Sequence, residues 1–250
     1  MGKLQKRVYN KENTIWVRRM SNMNDDYGRS YGFAEQSTFY QSTMTKVYGW
    51  MTIALIISAV VGIMIAGNGY LLAMCITTPL HWIFAIAEFV IVCVLSAKVR
   101  TLSDMTAKIL FVIYAILNGV TFGLLFAVYG LGTVGYAFLI TAITFAVMSA
   151  YGYFTKTDLS SFGNLFMMAL VGIIIATIVN FFIGSTRFYY ILSYITIAVF
   201  IGLIGYDTQK IKYYVSTGVR NAAILGALEL YLDFINIFIR VVRIVAKSDR

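Results

Sequence analysis

Residues 222–243 read AAILGALELYLDFINIFIRVVR, an apolar run long enough to cross a bilayer that nevertheless carries a line of polar side chains. A helix needs about 20 residues to traverse a hydrocarbon core about 30 Å thick. Gly226, Glu229, Asp233, Asn236 and Arg240 follow one another at spacings of 3, 4, 3 and 4. At about 100° per residue they fall within an arc of about 80° on one helix face. Such a narrow polar stripe must face protein or water, so this helix is expected inside a bundle. Ionisable groups at membrane depth cost about 2.5–3.5 kcal/mol each on insertion scales, and each therefore needs a partner or a purpose.

The rest of the chain repeats the apolar pattern. Of its 250 residues 60% are hydrophobic and 12% charged, against about 45–50% and about 25% in soluble domains. Mean hydropathy is +0.78. A soluble fold of this size could not hide so much apolar surface, whereas membrane lipid accepts it as solvent. Bilayer-length runs are expected as helices over 45–67, 79–97, 108–129, 132–153, 164–184, 188–207 and 222–243, joined by short connections such as Gly67-Asn68-Gly69, Tyr129-Gly130-Leu131-Gly132 and Gly184-Ser185-Thr186. Strands are excluded because alternation is absent and backbone groups in lipid must be satisfied within the segment. The sequence thus predicts an all-α polytopic membrane protein with seven transmembrane helices over 44–250, the last one central. Residues 1–43 are polar, lack the apolar core of a signal peptide, and are expected to form a flexible tail. Cys75 and Cys93 both sit in apolar sequence and fit neither a disulfide framework nor a metal site.

The net charge of +9 does not point to nucleic acid, because no folded basic domain is left to bind it. The positive charges mark topology instead. The amino-terminal region carries Lys3, Lys6, Arg7, Lys11, Arg18, Arg19, Arg29 and Lys46. Lys98, Arg100, Lys108, Lys156, Lys210, Lys212 and Arg220 fall on the same side in a seven-span scheme, against Arg187 alone on the other. By the positive-inside rule the amino terminus is cytoplasmic. Arg240, Arg243, Lys247 and Arg250 resist this scheme, since an odd number of spans puts them outside.

Four acids lie in apolar runs: Glu88, Asp207, Glu229 and Asp233. If the sixth helix runs to about residue 214, Asp207 is ~10 Å from its end and Asp233 ~16 Å from the start of the seventh. Tilt or fraying would let the two carboxylates meet. Such a pair would share a proton and titrate as a unit. Deprotonated, it would offer hard oxygen ligands to a cation such as Ca²⁺. Pairing of each aspartate with a nearby Lys or Arg is the plainer alternative. Lys98 or Arg100 could swing toward Asp207 as a closing cation. Asn118, beside the small-residue spacing Gly119–Gly123, and Asn236 supply buried amides; ordinary helix packing explains the glycine spacing equally well.

Several stretches resemble the Bax inhibitor-1 (transmembrane Bax inhibitor motif) family. They are Gly205-Tyr206-Asp207-Thr208-Gln209-Lys210, Leu225-Gly226-Ala227-Leu228-Glu229-Leu230-Tyr231-Leu232-Asp233-Phe234-Ile235-Asn236, Ala87-Glu88-Phe89, Leu117-Asn118-Gly119 and Tyr151 to Ser160. The resemblance spans about residues 40–245 in order and is closest to the bacterial branch. It implies six helices around a seventh, an inner (plasma) membrane location, and a pH-sensitive Ca²⁺ leak with a di-aspartyl sensor at Asp207 and Asp233. It leans towards opening by acid. The family's sensor-engaging arginine late in the second span aligns near Lys98 or Arg100. Glu229 lies outside the matched pattern.

Other functions were weighed on the same residues. An intramembrane aspartyl protease would use two aspartates to activate water, but the Gly-x-Gly-Asp and Pro-Ala-Leu motifs of presenilin-like enzymes are missing. A serine intramembrane protease has only His81, with no Gly-x-Ser-Gly sequence to serve. No enzymatic activity and no cofactor are expected. The expected partners are membrane lipid, Ca²⁺ and protons. A non-transporting regulator of membrane proteases or other membrane proteins is the remaining alternative, with the amino-terminal tail as its handle.

Overall fold

A computed structural model describes residues 38–99 and 101–248, His81 and Ser248 by backbone alone. Most of the tail expected to be flexible lies outside the described residues, as do Arg100 and Arg250. The chain divides into two compact units, Met1–Ser42 and Thr43–Arg250. The described part of the first is the opening turn of helix α1 (Thr38–Gly67), which begins within the stretch read as tail.

The described residues form helices and no strand. After α1 come α2 (Gly69–Thr77), α3 (Leu80–Lys98), α4 (Asp104–Phe154), a 3-10 turn at Ser160–Phe162, α5 (Gly163–Ile183), α6 (Thr186–Ser216) and α7 (Ala222–Ser248). Polar residues in the short connections cap these helices. Asn68 Oδ1 accepts from the N–H groups of Tyr70 and Leu71, and Ser103 and Ser185 accept from Thr106 and Phe188. Each satisfies backbone donors that the first turn of a helix leaves open. Gly184 closes α5 in the left-handed region (φ 66°), where a Cβ would be strained.

Among the described residues five helices are long and apolar enough to cross a membrane, or six if α2 and α3, bent by 82° at their junction, form one broken span. The seven separate helices expected from the sequence are not what is observed, for two physical reasons. First, α4 runs for 51 residues through the third and fourth expected spans, interrupted at Gly130 (φ 76°, ψ 154°). The helix resumes immediately after this one residue, so the expected connection shrinks to a kink. Second, residues 69–77, left without a span, form a nine-residue helix, at ~14 Å far shorter than the hydrocarbon core. The sixth span is also longer than expected, continuing past 207 to Ser216.

The core gathers around α7. Its Leu230, Tyr231, Phe234, Ile237 and Phe238 are almost fully buried. Phe234 and Phe238 pack on Phe138 of α4, Phe234 also on Phe145, and Phe238 on Phe122. These rings come from both sides of the Gly130 break, so the two halves of α4 embrace the same helix. From α1, Ser58 Oγ lies 2.7 Å from Tyr231 Oη and donates to the Ala115 carbonyl of α4 at 2.6 Å. Small residues bring the backbones together. A Cβ on Gly119 would stand 2.5 Å from Val61 Cβ, and one on Gly123 2.6 Å from Ile65 Cβ. The Gly119–Gly123 spacing is therefore the contact line between α1 and α4. Gly205 of α6 presses its backbone against Gly152 of α4 in the same way.

Candidate functional site

The polar stripe of α7 faces α6 along its length. At one end Gly226 abuts Ile211, where a Cβ would stand 2.8 Å from Ile211 Cγ1. At the other end Arg240 lies over the ring of Tyr189. The two helices run antiparallel, and between these contacts stand Asp207 of α6 and Asp233 of α7, 7% and 3% exposed. Their carboxyl side chains come within interaction range of each other, and two buried carboxyl groups so placed cannot both ionise cheaply. The depth difference expected from the sequence closes because α6 reaches Ser216. Asp207 then lies ~14 Å from the end of α6 and Asp233 ~16 Å from the start of α7, so the two are level.

Two further α6 side chains complete the group. Lys210 Nζ is 2.8 Å from Glu229 Oε1 and 3.6 Å from Asp207 Oδ1. Tyr214 Oη donates to the same Glu229 oxygen at 2.7 Å. Lys210 also lies over the rings of Tyr206 and Tyr214, at 5.7 and 5.5 Å. One oxygen of Asp233 and one of Glu229 are buried without a hydrogen-bond partner. The cluster thus sets three carboxyl groups against one ammonium group, with two acceptor oxygens left open.

Among the described residues the cation beside Asp207 is Lys210. Lys98 is exposed at the end of α3, and Arg100 lies outside the described residues. Lys210 holds the position because a residue three further along a helix shares its face. Glu88 and Asn118 are placed elsewhere. Glu88 lies near Thr121 of α4 and keeps one buried oxygen without a partner. Asn118 donates to its own helix at the Tyr114 carbonyl, 3.3 Å away. These residues, with Tyr114, Ser58 and Tyr231, form a second polar group on another side of α7. Asn236 donates to Leu232 of its own helix at 2.8 Å and joins neither group.

Three features went unread in the sequence. Lys210 is not singled out there as the partner of Asp207, although Asp207, Lys210 and Tyr214 repeat the 3, 4 spacing of α7 on the partner helix. A hydroxyl chain, Tyr48 to Ser149 and Ser149 to Thr208 (3.1 Å), joins α1, α4 and α6 beside Asp207. Gln209 clamps the α4–α5 connection, accepting from Leu159 N–H at 2.8 Å and donating to the Thr157 carbonyl at 2.9 Å. In that connection, outside the spans, hydrogen bonds from the Ser160 hydroxyl and N–H hold the Asp158 carboxyl below its ordinary range. Long-range contacts such as these have no signature in local spacing.

Among the described residues no group of three or more His, Cys, Asp or Glu is placed to hold a metal ion. Two aspartates also fall short of the six to eight oxygens of a resident Ca²⁺ site. The cluster can hold and exchange a proton and can present charge to a passing cation.

Known proteins share this sequence over nearly its whole length. The chain is 40% identical over 228 residues to the inner membrane protein YbhL of Escherichia coli K12, covering 88% of this chain and 97% of that protein. An uncharacterized protein of Deinococcus radiodurans is 39% identical over 211 residues, 82% of this chain and 90% of its own. One from Borreliella burgdorferi is 37% identical over 207 residues, 80% and 89% respectively. Residues 40–250, which contain every residue of the cluster, match the family described as "Inhibitor of apoptosis-promoting Bax1". The chain belongs to the Bax inhibitor-1 family.

Proposed function

We propose that this chain is a pH-sensitive calcium leak of a bacterial inner membrane, gated by the proton that Asp207 and Asp233 share. The observation that carries the reading is the juxtaposition of these two buried carboxyls, one from each of two packed helices. A proton shared between them ties α6 to α7. When it leaves, two carboxylates face each other at low dielectric, and repulsion favours either separation of the helices or entry of a cation. This reading therefore opens the path as pH rises, opposite to the acid opening towards which the resemblance leans. Ca²⁺ is the cargo and meets the open oxygens of Asp233 and Glu229 in transit. Lys210 is the built-in counter-charge that limits how negative the empty path becomes. The inner-membrane assignment rests on the name of the E. coli relative.

Seven crossings fit this reading. The α2–α3 pair serves as one broken span, and Gly130 divides the 51-residue α4, which at ~77 Å is more than twice the hydrocarbon thickness. With the amino terminus cytoplasmic, the carboxyl terminus then lies outside.

The test is Ca²⁺-dye flux in proteoliposomes of pure protein across pH steps. Wild type is expected to show flux that changes with pH. Asp207→Asn and Asp233→Asn should each lose most of that pH response while still inserting. An unaltered response in both variants would remove the sensor. Absence of flux from the pure wild-type protein would refute the leak and favour a non-transporting regulator of membrane proteases or other membrane proteins.

A further inference from the structure

The α7 stripe continues beyond the carboxyl cluster into a cationic group that the proposed leak does not use. The guanidinium carbons of Arg240 and Arg243 lie 5.3 and 5.2 Å from the ring centroid of Tyr189, and Lys247 Nζ lies 4.0 Å from that of Tyr190. Arg243 also donates to Tyr189 Oη at 2.7 Å, and the two tyrosine rings meet edge to face at 5.6 Å. Arg187 precedes them in the first turn of α6.

Among the described residues no acid balances these charges. The carboxylates of the described residues are Glu88, Asp104, Asp158, Asp207, Glu229 and Asp233, and among the described residues none forms an ion pair with Arg187, Arg240, Arg243 or Lys247. Asp207 is 18 residues along α6 from Tyr189, ~27 Å away. Asp249 and Arg250 lie outside the described residues. A guanidinium seated on an aromatic face keeps its N–H edge free, and that planar fork matches the oxygens of a phosphate. Beside this group the lipid-facing surface is apolar and aromatic. Phe181, Phe182 and Ile183 are 70%, 81% and 66% exposed at the end of α5, joined to α6 through Gly184 and Ser185.

We propose that Arg240, Arg243 and Lys247 of α7, seated on Tyr189 and Tyr190 of α6, bind the phosphate headgroup of an anionic phospholipid. Free phosphate would satisfy the cations but not the exposed apolar surface at the end of α5, which an acyl chain covers. The site also accounts for basic residues at the end of α7, where a seven-span topology sets them apart from the chain's other basic loops: lipid phosphate supplies the missing counter-charge.

The experiment titrates the full-length protein in neutral detergent with phosphatidylglycerol or phosphatidylcholine and reads retained lipid by native mass spectrometry. Wild type is expected to retain phosphatidylglycerol at least about tenfold better. Arg240→Gln combined with Lys247→Gln should bring retention down to the phosphatidylcholine level. Arg243 is left in place because it holds Tyr189. Should the double variant fail to fold, Lys247→Gln alone, at an exposed position, should still weaken retention severalfold. Equal retention of the two lipids by wild type, or undiminished phosphatidylglycerol retention in the variants, would overturn the site. Millimolar inorganic phosphate should leave phosphatidylglycerol in place; complete displacement would assign the cations to free phosphate and overturn the lipid reading.

Discussion

Helices α5 and α7 are both bilayer-length and apolar, yet one is nearly all surface and the other nearly all core. Only 6% of the apolar window of α5 is buried inside the protein, against 67% for α7. The more apolar helix is the exposed one. In water the order would be reversed, because burial follows apolar area. In lipid a leucine gains little by leaving acyl chains for protein, so apolarity does not send a helix inside. Polar groups do: Glu229, Asp233 and Asn236 cannot face hydrocarbon, and they commit α7 to the centre of the bundle.

If that contrast holds, matched substitutions in the two helices should have unmatched effects. Phe238 in α7 is 1% exposed and touches Phe122, Phe138 and Phe234, whereas Phe182 in α5 is 81% exposed. Phe238→Ala should cost about 3 kcal/mol, mainly from packing lost around a cavity. Phe182→Ala should cost under about 0.5 kcal/mol, as a surface change does. Thermal unfolding in detergent measures both, and similar losses would break the comparison. Next in size is a charge on the outer face. Ile174, 58% exposed on α5, should tolerate valine, while Ile174→Asp should reduce insertion by about 2.5–3.5 kcal/mol. A glycosylation-based insertion assay reads that difference directly.

The same contrast explains what could be read in the sequence. The all-helical, apolar character of the chain was legible because bilayer thickness demands long apolar runs, and the Gly130 break falls within the Tyr129–Gly132 segment that composition marked. The α2 helix was not, since nine apolar residues satisfy no length rule and its 82° angle to α3 is set by tertiary packing. The meeting of Asp207 with Asp233 was legible from stripe spacing and helix length together. The place of Lys210 was not, because the resemblance drew attention to Lys98 or Arg100, of which Arg100 lies outside the described residues. Lys210 was instead available three residues from Asp207, and two stripes of the same period on consecutive antiparallel helices predict their own pairing. Ser58 with Tyr231 and Tyr48 with Ser149 link residues more than a hundred positions apart, and only the folded bundle brings them together.

The smallest expected effect tests that stripe-to-stripe pairing. Tyr214 Oη donates to a Glu229 oxygen that Lys210 already engages, so Tyr214→Phe removes one of two donors and leaves the ring in place. The other Glu229 oxygen is already without a partner, which makes the remaining Lys210 contact carry more of the carboxylate's compensation. A loss of about 1–2 kcal/mol is expected, in the range of a hydrogen bond to a charged group. In the Lys210→Met background the same tyrosine substitution should cost more, because no donor then remains for a buried carboxylate. Additive losses in that double-mutant cycle would mean that Lys210 and Tyr214 act on Glu229 independently, and α6 would then be an apolar neighbour of α7 with incidental polar contacts.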